Sequence, residues 1–190
     1  GVAEDIHRTD LVRLQAWTAI GEIGTLEAID SLVNHLITSW GNTRRNILRI
    51  LLKIPDDAGI EGVLDRIGRS GVETLIEQEL MFIGQIYAAL IDLSLLPLGK
   101  INPNSISGDL SESQSPQQLL GQALRGLELD AIERCFLLMK FLYPLGSIQA
   151  AAFNIRSEQA GNVARGLEIL DNTVDIASKR SLINILDHHS

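Results

Sequence analysis

The sequence predicts an all-α chain, an α-solenoid of antiparallel helix pairs interrupted by one long helix and a polar loop. Three observations carry that expectation. Hydrophobic residues make up 45% of the 190-residue chain and aromatics only 4%, so the interior must be built of Leu, Ile, Val and Ala. Such an interior suits layers of packed helices and is too apolar for a disordered chain. Apolar residues at i, i+3, i+4, i+7 spacing also recur at a fixed offset. Finally, Gly and Pro punctuate these runs where one helix has to give way to the next.

The N-terminal third shows the repeat most clearly. Ala16, Ile20, Ile23, Ile29, Leu32, Val33 and Leu36 form one set. Ile47, Leu51, Ile54, Ile60, Val63, Leu64 and Ile67 form a second, each residue 31 positions after its counterpart. Each set divides into two helical runs, at Gly24-Thr25 in the first and at Pro55-Asp56-Asp57 in the second. Asn42-Thr43 and Asp56-Asp57 are the expected N-caps of the second pair. Gly68-Arg69-Ser70-Gly71 reads as a turn that closes residues 1–71 as two helix pairs.

Residues 72–97 read as one long helix with an apolar face of Val72, Leu75, Ile76, Leu80, Ile83, Tyr87, Leu90 and Ile91, ended by Pro97. Residues 98–118, rich in Ser, Asn and Gln, read as a polar loop that acts as a spacer or grips a partner. A helix can restart near Pro116 with Ser115 as its cap. Residues 119–190 hold two further pairs. Phe136, Met139, Leu142 and Tyr143 lead through Pro144 to Ile148, Ala151, Ala152 and Ile155. Val163, Leu167, Leu170 and Val174 then lead to Ile176, Leu182, Ile183, Ile185 and Leu186. Paired helices in units of roughly 30 to 45 residues mark solenoids, in which each pair buries its face against its neighbours. An irregular helical bundle is the alternative, because the spacing varies between units. The whole is expected to be a single helical-repeat domain excised from a longer protein.

Charge and motifs narrow the functional classes. A net charge of -8 is the wrong sign for duplex nucleic acid or for a polybasic grip on anionic lipid. The longest apolar stretch, Leu80 to Ile91, contains Gln85 and is flanked by Glu79 and Asp92. It falls short of the roughly 20 residues a bilayer span needs. The lone Cys135 sits in a buried-helix pattern and reads as an inert core thiol in a reducing, cytoplasmic compartment. No His-Glu-x-x-His, Cys pair, Gly-x-Ser-x-Gly or phosphate-loop pattern occurs, and the four histidines are scattered. No catalytic residue, metal ligand or cofactor site is therefore expected. Glu128, Asp130 and Glu133, with Arg125 and Arg134, read as a solvated charged face.

One cluster remains as a partner-binding candidate. Arg44, Arg45 and Arg49 lie on the first helix of the second pair, with Lys53 one turn further. On an acidic chain they form either an ordinary solvated face or a dock for an acidic segment or phosphate. Trp40, beside Gly41 at a helix end, reads as an exposed anchor, whereas Trp17 lies within an amphipathic run and reads as core.

The C-terminal half adds a resemblance. Glu133-Arg134-Cys135-Phe136-Leu137-Leu138-Met139-Lys140-Phe141-Leu142-Tyr143-Pro144, then Ile148-Gln149-Ala150-Ala151 and Asn162 through Asn172, resemble HEAT-like repeat regions of large bacterial (cyanobacterial-type) membrane proteins. In these a nucleotide-translocase or major-facilitator-like half is joined to HEAT repeats and often to a cyclic-nucleotide-binding domain. The resemblance covers roughly residues 119–187, the rest matching only as generic HEAT-like pairs. It implies a cytoplasmic scaffold or regulatory connector whose partners are proteins or flanking domains of the same chain, and it brings no catalytic residues. The alternative is a HEAT-like bilin lyase or pigment-handling protein, which the low aromatic content and the single Cys135 speak against.

Overall fold

The structure, a computed structural model, describes residues 2–96 and 115–188, with side chains from Thr9 onward. Every described element is helical, so the chain is all-α. α1 (Val2–Ile23) leads to α2 (Leu26–Thr38) and α3 (Gly41–Lys53). A single 3-10 turn (Pro55–Asp57) precedes the long α4 (Ala58–Leu95). α5 (Pro116–Met139), α6 (Leu145–Ile155), α7 (Ala160–Thr173) and α8 (Lys179–Asp187) follow. Pro97 and residues 98–114 of the expected polar loop lie outside the described residues, as do Gly1 and His189.

Helix boundaries follow local chemistry in some places and depart from the expected caps in others. Thr25 is extended and its hydroxyl accepts from Ala28 N at 3.2 Å, which satisfies one of the orphan donors at the start of α2. Ser115 and Gln118 form a reciprocal capping box, with Pro116 at the first helical position. Asn42 and Thr43, by contrast, lie inside α3, whose N-cap is Trp40. Asp56 and Asp57 make no capping bond either. The tight turn after Pro55 holds them at φ of 59° and 56°, whereas a capping side chain needs an extended backbone to reach forward. Asp tolerates this left-handed conformation better than most residues.

The expected turn at 68–71 contracts to one residue. Gly68 (φ 67°, ψ 179°) breaks α4 in a region that side-chain-bearing residues rarely enter, and the second segment begins at Arg69 rather than Val72. Gly166 serves packing instead: a Cβ there would stand 2.9 Å from Ala151 O, so its absence lets α7 lie against α6.

One continuous core runs through the molecule. α2 contributes Ile29, Leu32, Val33 and Leu36; α3 contributes Ile47, Leu48 and Leu51; α4 contributes Val63, Val72, Leu75, Ile76 and Ile83. α5 supplies Cys135, Phe136, Leu138 and Met139, and the last helices supply Leu170, Leu182 and Leu186. Each such side chain contributes roughly 1.5 to 3 kcal/mol of burial free energy. Contacts run between neighbours and also between alternate helices: α1 on α3, α2 on α4, and α3 on α5. The closest partnerships are α4 with α5 and α6 with α7.

The ends of this core are less covered than the apolar pattern implies. Ile23 is 64% exposed, and α1 reaches the core through half-buried Trp17 and Ile20. Tyr87 and Ile91 on α4, together with Leu119 and Leu120 on α5, are exposed as well. No helix among the described residues is long and apolar enough to cross a membrane.

Candidate functional site

The four residues singled out from the sequence occupy three different places. Arg44 is buried, not part of a surface cluster, and it lies on the α3 face that also carries Leu48 and Leu51. Its Nη1 donates to Glu79 Oε1 at 3.1 Å, and its Nη2 donates to Ser39 O at 2.6 Å and Gln78 Oε1 at 3.0 Å. Arg134 of α5 approaches the same carboxylate from the other side, with Nε 3.0 Å from Glu79 Oε2. The Nε atoms of Arg44, Arg45 and Arg134 are buried without a hydrogen-bond acceptor among the described residues. The Arg134 guanidinium also sits 6.0 Å from the centre of the Phe82 ring, within cation–π reach.

Two arginines therefore share one carboxylate inside the core, at the junction of α3, α4 and α5. Burial holds the Arg44 guanidinium below its ordinary pKa, and the charge of Glu79 works against that effect. Burial also pushes the Cys135 thiol well up, with Glu79 acting in the same direction. A protonated, fully buried thiol is inert, as the sequence predicts. The expectation of a solvated face on α5 needs correcting: Glu128 and Arg134 are both buried. Charge alone suggested water, but their helical register places them with Ala131, Ile132 and Cys135.

Arg45 and Arg49 point the other way, toward the C-terminal half of α5. Arg49 Nη2 is hydrogen-bonded to Glu133 Oε1, and Arg45 Nη1 lies 4.0 Å from Glu133 Oε2. Beyond them an open groove of roughly 1270 Å³ runs between the end of α3, the end of α5 and α6. Lys53, Lys140 and Arg156 stand along it, over a floor that includes Leu52, Phe136 and Ala152. Burial, and after it the Arg156 charge, hold the Lys140 ammonium below the usual lysine range, while Glu133 pulls it back up. Phe153, 80% exposed, stands at the groove's edge.

Trp40 occupies a third place, the corner between α2 and α3, and is 80% exposed. Trp17 and His35 stand beside it with ring centroids 6.1 Å apart.

A second polar cluster was not expected from the sequence. Arg69, just after the Gly68 break, is hydrogen-bonded to Asp175 between α7 and α8, and its Nη2 donates to Tyr143 Oη at 2.9 Å. Tyr143 Oη in turn donates to Asp175 Oδ1 at 2.7 Å and accepts from Asp175 N at 3.1 Å. These residues are 74 and 106 positions from Arg69, so no local motif announces them. The cluster straps the last helices to α4. No group of three His, Cys, Asp or Glu side chains with metal-holding geometry exists among the described residues.

Compared with known proteins, the chain matches no protein-family model, no curated protein and no solved structure.

Proposed function

We propose that the chain is a HEAT-like helical-repeat module that binds or positions other protein domains and carries out no chemistry of its own. The observation that carries this reading is the packing of alternate helices, α1 on α3, α2 on α4 and α3 on α5. Contact between alternate helices is what a stack of helix pairs requires, and such stacks offer an extended surface for binding. The groove between α3, α5 and α6 is the surface we assign to a partner. Two of its carboxylates serve cohesion, Glu79 with two arginines and Asp175 with Arg69 and Tyr143.

The setting we infer is the cytoplasmic part of a larger bacterial membrane protein, and it rests on the resemblance carried by Glu133 to Pro144 and Asn162 to Asn172. The test is calorimetric. The rest of the natural reading frame, expressed separately, is titrated with this chain, and a saturable complex is expected. A chain that binds none of it while turning over a small molecule overturns the reading. Incubation with a bilin tests the pigment-handling alternative, because a shifted visible spectrum would favour that alternative over the module.

A further inference from the structure

We propose that the groove between α3, α5 and α6 is the docking site for an acidic peptide segment of a partner protein, one that carries a large apolar side chain. The proposal rests on the reading of the chain as an interaction module and names the chemistry of its partner.

Four cations (Arg49, Lys53, Lys140 and Arg156) line the groove against two carboxylates, Asp57 and Glu133. The local balance is thus positive on a chain whose net charge is -8. Glu133 is taken by Arg49 and Arg45. Neither of the two carboxylates that line the groove, Asp57 and Glu133, is ion-paired with Lys53, Lys140 or Arg156. Lys140 is half-buried, and burial first, then the charges of Arg156 and Arg49 against the pull of Glu133, holds its ammonium below the usual range, so an added negative charge beside these cations is favourable. Opposite charge in a partly desolvated cleft guides encounter and fixes register.

Three features favour a peptide over other anions. A volume of roughly 1270 Å³ exceeds the ~300 to 1,000 Å³ of small-molecule sites. The floor is apolar and Phe153 stands 80% exposed beside it, an aromatic positioned to anchor a side chain rather than a phosphate. A polyanion such as RNA, whose affinity grows with each phosphate neutralised, extends past the groove onto the acidic remainder of the chain, whereas a short segment stays within the four cations.

The experiment uses a fluorescein-labelled peptide of Glu and Leu at helical spacing, followed by anisotropy against the whole chain. A second peptide with Gln for every Glu serves as control. Saturable binding of the acidic peptide is expected, weakening as salt rises because the contacts lie near the surface. The double variant Lys53→Glu, Arg156→Glu changes two exposed side chains and should weaken binding by about tenfold or more. Phe153→Ala should weaken it too, with helix content by circular dichroism unchanged in both variants. Equal binding of the Gln control, indifference to the charge reversal, or displacement of the peptide by inorganic phosphate at matching concentration would each overturn the proposal. Should the chain still bind its flanking domains after charge reversal, the groove assignment falls and the module reading stands. Should it bind neither peptide nor flanking domains, both fall.

Discussion

Glu79 is the residue on which most depends. It neutralises two guanidiniums in the core, and removing it leaves both charges buried beside each other. Breaking a buried ion pair from one side typically costs about 3 to 5 kcal/mol, whereas an exposed pair is worth roughly 0 to 1. Glu79→Ala should therefore lose several times more unfolding free energy in urea than Arg49→Ala, although both remove one member of an ion pair. Equal losses would show that the junction is solvated. Asp175 supplies a different test. Its hydrogen bond from Tyr143, and then the one from Arg69, hold its carboxyl below the ordinary 3.8. A depressed folded-state value means a contribution that is fully present above pH 3.8 and lost as the pH falls through that lower value. In acid titrations followed by fluorescence, Asp175→Asn should flatten the stability profile below pH 3.8 and leave its slope at neutral pH unchanged. An identical acid slope in both proteins would contradict this. At this scale the sequence was legible for Cys135 and Trp40 but misleading for Arg44, Glu128 and Arg134. Their register was visible, since Arg44 stands four and seven residues before Leu48 and Leu51, but the expectation that charge faces water outweighed it. Glu79 supplies the reason it should not have, and it lies 35 residues from Arg44.

Helices were easier to read than their ends. The apolar periods of α2, α3 and the Val72 to Ile83 stretch of α4 bury the expected side chains, because packing one stripe against a neighbour dominates helix stability, whereas Ile60, Leu64 and Ile67 are only half-buried. The caps at Thr25 and Ser115 follow from local hydrogen bonding, and Ser115 was visible for that reason. Asp56 and Asp57 were misread because the sequence does not disclose that the backbone after Pro55 turns left-handed. Gly68 is the sharpest case. The pattern called for a turn, and one glycine achieves it without a loop. Gly68→Ala places a Cβ at φ 67°, ψ 179°, where strain of about 1 to 3 kcal/mol is expected, and thermal unfolding should show it as a lowered Tm. An unchanged Tm would mean that α4 straightens without consequence.

For the molecule as a whole, an aliphatic, aromatic-poor composition and a repeated helical period were enough to establish the all-α class. What the period could not convey is how the turns of distant helices are strapped together. Arg69, Tyr143 and Asp175 meet only because α4 and the α7–α8 connection pass the same point. The groove between α3, α5 and α6 is likewise a product of tertiary arrangement: Lys53, Lys140 and Arg156 are far apart in the chain, and only Lys53 was noted beside the arginines of α3. This groove is where we propose that an acidic segment of a partner protein docks. Hydrogen exchange of the chain, alone and saturated with the acidic peptide of Glu and Leu, tests it most directly. Slower exchange is expected only at the end of α3, the end of α5 and α6, with α1 and α2 unchanged; protection elsewhere, or none at all, would contradict docking in the groove.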